Sequence, residues 1–184
     1  MFNFGGGMLT GHEIERQIKK GNINITPFNK SQLNPNSYNL KLDPEMFVYT
    51  SRLDMNKENT TRKIIIPETG YTLKPGVLYI GRSVETTGTD KFVPMINGRS
   101  SGGRLGISIH VCAGFGDIGF NGTWTLEITA VEPVVIYPYT EIAQVCFFKP
   151  AGKVEKLYRG KYYNQQDATP SKFYQDMRRK ENGK

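Results

Sequence analysis

Glu127 stands in the run Trp124-Thr125-Leu126-Glu127-Ile128, a carboxylate inside an otherwise apolar stretch, and the chain shortly before it carries Gly98-Arg99-Ser100-Ser101-Gly102-Gly103-Arg104-Leu105-Gly106. A loop rich in donors and positive charge beside a carboxylate drawn out of water can grip an anionic substrate and move protons on it. Period-two alternation puts Trp124, Leu126, Ile128 and Ala130 on one face of a strand and Thr125, Glu127, Thr129 and Val131 on the other. Glu127 between two threonines is therefore either a proton carrier in a polar pocket or an exposed strand residue. Gly102 and Gly103 let backbone approach a ligand while Ser100, Ser101 and Arg104 donate to phosphate or base oxygens; an ordinary tight turn is the other reading.

Ala113-Gly114-Phe115-Gly116-Asp117-Ile118-Gly119-Phe120 leads from that loop to the strand. It can wrap a sugar, with Phe120 against the deoxyribose and Asp117 bonded to its 3′-hydroxyl or to water, or Asp117 can simply form a turn. His110 shares a strand face with Ser108 and Cys112, as a polar residue near the pocket or as a satisfied core histidine, the second being preferred. Arg159-Gly160-Lys161-Tyr162-Tyr163-Asn164-Gln165-Gln166 joins aromatics to amides, types that stack on a nucleotide and set Lys161 against phosphate; a surface turn is the alternative.

These residues need a scaffold. Thr10 predicts the start of a short helix: it caps Glu13, Glu13 bonds back to it, Leu9 staples to Ile14, and Lys19-Lys20-Gly21 ends it. His12 reads as a surface residue. Strands are expected at Leu40 to Leu42, Lys63 to Ile66, Val77 to Ile80, Phe92 to Ile96, Ile107 to Ala113, Gly122 to Val131, Val134 to Tyr137 and Ile142 to Phe148, separated by Gly and Pro turns. Pro170 precedes a short amphipathic end over Ser171 to Arg179. Many short strands with one early helix predict an all-β barrel or sandwich. A doubly wound nucleotide fold is disfavoured, and the glycine loop lacks the Gly-Lys-Ser/Thr ending of a P-loop.

The 184 residues suit one domain, 1–184, with residues 1–8 expected to be loose. The formal charge of +7 is concentrated late: the segment from Lys153 to Lys184 holds nine Lys or Arg against four Asp or Glu. It reads as a solvated tail or one that closes over phosphate. No apolar run approaches a membrane span and no signal-peptide order is seen, so a cytoplasmic location without a membrane partner is expected. Cys112 and Cys146 read as small buried hydrophobes without disulfide spacing. The pattern of a zinc nucleobase deaminase is absent, so any deamination of a base here must activate water without zinc. Stacking residues form no repeated basic and aromatic surface, which disfavours a stable nucleic-acid partner.

Taken in order, Leu9, Asn34 to Leu42, Gly98 to Gly106, Ala113 to Glu127 and Lys161 to Gln165 resemble the deoxycytidine triphosphate deaminase family, part of the trimeric deoxyuridine triphosphatase-like superfamily. The resemblance implies a distorted β-barrel with a short N-terminal helix and a mobile tail over 161–184, a homotrimer with shared active sites, and Mg²⁺ carried by the triphosphate with no direct protein ligand. It implies that Glu127 is the general base, that Arg104 and Ser100 bind substrate and orient water, and that the Ala113 carbonyl orients water. Ser101, Arg99 and Gly103 fall in the phosphate-binding motif, with Asp117, Phe120, Tyr162, Lys161 and Gln165 as further nucleotide contacts. Gly103 replaces a slightly larger residue common in relatives, and Cys112 a threonine. The implied reaction is zinc-independent attack of water on C4 of dCTP, giving dUTP and ammonia. Ranked behind it are a bifunctional deaminase and triphosphatase giving dUMP and pyrophosphate, a deoxyuridine triphosphatase alone, since the Asp117 loop resembles the acidic motif of those enzymes, and a nonenzymatic nucleotide-binding regulator.

Overall fold

The computed structural model describes residues 7–110 and 113–182. It is all-β in class, as the sequence predicts. The strands are β1 (Asn24–Thr26), β2 (Tyr38–Lys41), β3 (Glu45–Tyr49), β4 (Thr61–Ile65), β5 (Tyr71–Leu73), β6 (Tyr79–Gly88), β7 (Val93–Gly98), β8 (Ile107–Ser108), β9 (Asn121–Ala130), β10 (Val134–Ile136) and β11 (Glu141–Phe148). The expected barrel is not closed. One sheet runs β4-β3-β6-β9-β8 with β1 added to β6, a second pairs β10 with β5, and a third runs β2-β11-β7. They enclose one core in which Tyr38, Leu40, Leu42, Met46, Leu126 and Ile128 are fully buried.

Helix α1 (Gly11–Lys19) begins at Thr10, whose Oγ1 accepts from the Glu13 N–H at 3.3 Å, and Ile14 anchors it in the core. The reciprocal bond expected from Glu13 is not made. Its carboxylate is taken by Arg16 Nε at 2.7 Å, Arg16 Nη2 at 2.8 Å and Gln17 Nε2 at 2.5 Å. Those donors hold the Glu13 carboxyl down to about 2. Residues 7 and 8 are not loose: Gly7 O accepts from Lys149 N, and Met8 bridges to Phe148 at the end of β11. The expectation for residues 1–6 lies outside the described residues.

Strand β6 is far longer than the Val77 to Ile80 expected, because its second half buries Ser83, Glu85 and Thr87, polar types that conceal the apolar alternation. Its register with β9 shifts between Arg82 and Thr86. At that irregularity Ser83 Oγ accepts from Trp124 N at 2.9 Å and donates to the Glu85 carbonyl at 2.7 Å, so a buried N–H that lacks a ladder partner is satisfied. Glu85 accepts from Gln32 Nε2 at 2.7 Å and Lys41 N at 2.9 Å. Cys146 is buried, and burial pushes its thiol up from the ordinary value. Cys112 lies outside the described residues.

Candidate active site

The pairing of β9 builds the site. Its alternation holds as predicted: Trp124, Leu126, Ile128 and Ala130 are buried, while Thr125, Glu127 and Thr129 face the other way and are half-buried. Across one edge, Ile80 of β6 stands opposite Glu127 and Arg82 opposite Thr125. Along the other edge β8 pairs Ile107 with Ala130 and Ser108 with Thr129, and the Ile109 carbonyl accepts from Glu127 N at 2.9 Å. That contact sets residue 110 beside residue 127. His110 Nδ1 lies 3.1 Å from Glu127 Oε2, with the imidazole only 7% exposed and the carboxylate 33% exposed. His110 is thus a pocket residue and not the satisfied core histidine preferred from the sequence, for its Nε2 is buried without a partner. Period two could place it on a face but could not say that the face opens on a cavity.

The expected strand from Ile107 to Ala113 ends at Ser108, and residues 111 and 112 lie outside the described residues. From Ala113 the chain crosses to β7: Gly114 O accepts from Ile96 N and Gly116 N donates to Pro94 O, each at 2.8 Å. Ala113, Asp117 and Phe120 all line the cavity with Glu127 and His110. Phe120 is buried against Trp124, ring centroids 4.7 Å apart, and stands in the cavity lining. Phe115, not singled out from the sequence, is 78% exposed at the rim and offers the free aromatic face.

The roof comes from the end of the chain. Residues 162–171 cross the sheet as a strap. Asn164 N donates to Asn121 O at 2.8 Å, Thr123 N to Gln165 O at 2.9 Å, and Thr169 N to Thr125 Oγ1 at 3.1 Å. Gly122 makes this approach possible: its φ of +142 and its open Cα let Gln165 O come where a Cβ would stand 2.5 Å away. Gln165 Nε2 donates to Thr123 O at 2.8 Å and Thr125 Oγ1 at 3.2 Å, leaving its buried Oε1 unpartnered. Tyr162, Gln165, Thr169 and Ser171 complete a cavity of about 600 Å³. That is within the range of small-molecule sites. Lys161 does not line it. Its ammonium is paired with Asp176 on α3 (Phe173–Asn182), the helix into which the predicted amphipathic end folds.

Arg99, Ser100, Ser101, Gly103 and Arg104 do not line this cavity either. The sequence reads this stretch as a loop, but Ser100–Arg104 forms one helical turn, α2, closed by Gly103 N to Arg99 O at 3.0 Å and ended at Gly106. Ser100, Ser101, Gly103 and Arg104 are exposed. Arg99 is tied through Nη1 to the Glu141 carbonyl at 3.0 Å and to Glu141 Oε2 at 3.1 Å. One chain therefore gathers Glu127, Ala113, Asp117, Phe120, Tyr162 and Gln165 around the cavity and leaves the serine and arginine group outside its lining.

Short strands in open sheets, with a buried histidine against a half-buried carboxylate under a C-terminal strap, define a small β-fold protein with a roofed cavity carrying a polar pair. The model of the dCTP deaminase-like family matches residues 8–150, and the chain belongs to that family. It is 53% identical over 171 residues to a protein of Hathewaya histolytica, covering 92% of this chain and 99% of that one, and 54% identical to one of Clostridium acetobutylicum, covering 92% and 98%; both are named "dCTP deaminase, dUMP-forming". A solved structure of 2′-deoxycytidine 5′-triphosphate deaminase from Agrobacterium tumefaciens superposes with a TM-score of 0.62 at 20% identity, over 79% of this chain and 49% of its own, which supports the fold. The chain is an enzyme of the deaminase class acting on a nucleotide. The names of the relatives overturn the expectation that dUTP is the end product, since those proteins form dUMP. In this chain a second carboxylate, Asp117, lines the same cavity as Glu127.

Proposed function

We propose that this chain converts dCTP to dUMP in two successive hydrolyses on one bound nucleotide. In the first, water adds at C4 of cytosine, Glu127 takes its proton and returns protons to the ring nitrogen and the departing amine, and the C4–N bond breaks to give dUTP and ammonia. In the second, water attacks the α-phosphorus, the α,β-phosphoanhydride bond breaks, and dUMP and pyrophosphate leave. Asp117 is the carboxylate assigned to that second water. The observation that carries the reading is the joint placement of the Glu127–His110 pair and Asp117 around one cavity, together with the printed names of relatives more than half identical.

His110 acts on Glu127, holding Oε2 in place so that the other oxygen is free for water. The Ala113 carbonyl at the cavity wall can accept from the same water. Among the described residues no group of three or more His, Cys, Asp or Glu stands close enough to hold a metal ion. On this proposal Mg²⁺ would be carried on the triphosphate, where it would offset phosphate charge, and Asp117 and Glu127 are carboxylates in the cavity lining.

The cations of α2 that could serve a triphosphate do not line this chain's own cavity, and we assign them to a neighbouring copy. Ser100, Ser101, Arg99 and Arg104 would then face the next subunit's cavity, in a homotrimer with shared sites. Exposed Leu105, Phe115 and Val131 beside α2 and the cavity rim give apolar surface for that contact.

The test is incubation with dCTP and Mg²⁺, resolving ammonia, nucleotide and pyrophosphate. Ammonia and pyrophosphate should appear in equal amounts with dUMP. Glu127→Gln should abolish ammonia release, and Asp117→Asn should release ammonia while dUTP accumulates. Ammonia without pyrophosphate in the wild-type protein would refute the two-reaction reading.

A further inference from the structure

Arg82 has no part in the two hydrolyses as proposed above, yet it lies on the cavity face of β6, two residues from Ile80 and opposite Thr125. Its guanidinium spans two parts of the molecule. Nη2 pairs with Asp43 Oδ2 at 3.0 Å, in the turn between β2 and β3, and Nη1 donates to the Gln166 carbonyl of the strap at 2.9 Å. Asp43 is itself fixed, because its Oδ1 accepts from Glu45 N at 2.9 Å and its N–H donates to Arg82 O at 3.0 Å. Every other strap contact described above is made by uncharged groups, so Gln166 O receives the strap's one charge-assisted bond from the sheet among the described residues.

The same side chain carries a defect. Arg82 Nε is buried with no hydrogen-bond partner. A buried donor left unpaired destabilises the state that buries it, and the deficit is relieved when water reaches it. The Nη1 bond to Gln166 O is the contact by which this side chain holds the strap to the sheet, and its loss favours the lifted state.

We infer that the Asp43–Arg82 clasp on Gln166 sets how long the roof stays closed between the two reactions, and so determines whether the dUTP formed first is retained or released. This rests on the two-reaction reading above. With one cavity serving both steps, dUTP must wait under the strap, and the ratio of strap opening to the second hydrolysis fixes the fraction that escapes. The clasp is a positioning device, since it touches the strap and no reacting atom.

The experiment follows radiolabelled dCTP with Mg²⁺ through single and multiple turnovers, measuring free dUTP against dUMP, in the wild-type protein, Arg82→Met and Asp43→Asn, with thermal unfolding of each. Loss of a charge-assisted bond to Gln166 should raise the escaping dUTP fraction roughly tenfold in Arg82→Met, with a smaller rise in Asp43→Asn, which keeps Arg82 but frees it. The rate of ammonia release under saturating dCTP should stay within about threefold. Adding unlabelled dUTP should dilute labelled dUMP in Arg82→Met and not in the wild type, a readout that loss of stability alone does not move. A folded Arg82→Met that still yields dUMP without free dUTP overturns the inference and leaves the two-reaction reading standing. If Arg82→Met does not fold, Asp43→Asn and the wild-type dilution decide: dilution in the wild type, or no added escape in Asp43→Asn, overturns it. A wild-type protein that makes no dUMP from dCTP overturns the two-reaction reading and the inference with it.

Discussion

Replacing His110 separates the two reactions. Its Nδ1 is 3.1 Å from Glu127 Oε2, and at 7% exposure the imidazole leaves little room for a water to take over that bond. A hydrogen bond to a charged group contributes about 1.5–3 kcal/mol. If that energy holds Glu127 in the geometry of proton transfer, its loss lowers the rate of ammonia release by roughly 10–150-fold. His110→Phe keeps most of the ring volume and removes the bond, whereas His110→Asn keeps a donor and should recover much of the loss. Among the described residues no hydrogen bond joins the Asp117 side chain to His110, so hydrolysis of supplied dUTP to dUMP should fall by no more than about threefold in either variant. The assay is steady-state kcat for ammonia from dCTP and for pyrophosphate from dUTP, with circular dichroism as a check on folding. A folded His110→Phe with unchanged ammonia release would refute the role given to His110. Equal loss of both activities would refute the division of labour between Glu127 and Asp117.

Two further outcomes follow from the geometry. Gly122→Ala puts a Cβ 2.5 Å from Gln165 O at a φ of +142, so the strap must move; strain of about 1–3 kcal/mol should appear as a KM raised by tenfold or more and as faster proteolysis of the C-terminal segment, with little change in the core melting transition. Glu13, held down to about 2 by Arg16 and then Gln17, contributes stability that is complete above the ordinary carboxylate value and lost as pH falls through about 2. After solvent screening this is on the order of 0.5 kcal/mol, so Glu13→Gln should unfold slightly earlier than the wild type in urea at pH 7, the gap closing near pH 2.

What the sequence made legible is what short-range chemistry decides. Thr10 caps because its Oγ1 stands within reach of the Glu13 N–H, and the alternation around Glu127 must place it opposite Leu126 and Ile128 once β9 is a strand. What was hidden depends on partners distant in the chain. The second half of β6 reads as polar because Glu85 is buried by virtue of Gln32 and the Lys41 N–H, contacts no local window contains. Helix α2 runs against propensity, with two glycines in five residues, and is held as a turn between β7 and β8. Lys161 carries a charge suited to phosphate, but Asp176 on α3 claims it. Arg82 gives no sign in its own segment of a tie to Gln166, 84 residues away.

If, as proposed, one cavity serves two substrates, that places a demand on its polar groups. Cytosine offers an amine at C4 and uracil a carbonyl, so a wall that recognised only one would expel the other between steps. On that proposal the histidine-carboxylate pair would meet the demand through its own proton logic. When Glu127 is a carboxylate, His110 Nδ1–H donates to it and a neutral ring leaves Nε2 as an acceptor; when Glu127 carries a proton and donates to Nδ1, the neutral ring carries its hydrogen on Nε2 and becomes a donor there. The unpartnered Nε2 is therefore not fixed in role by any other contact among the described residues.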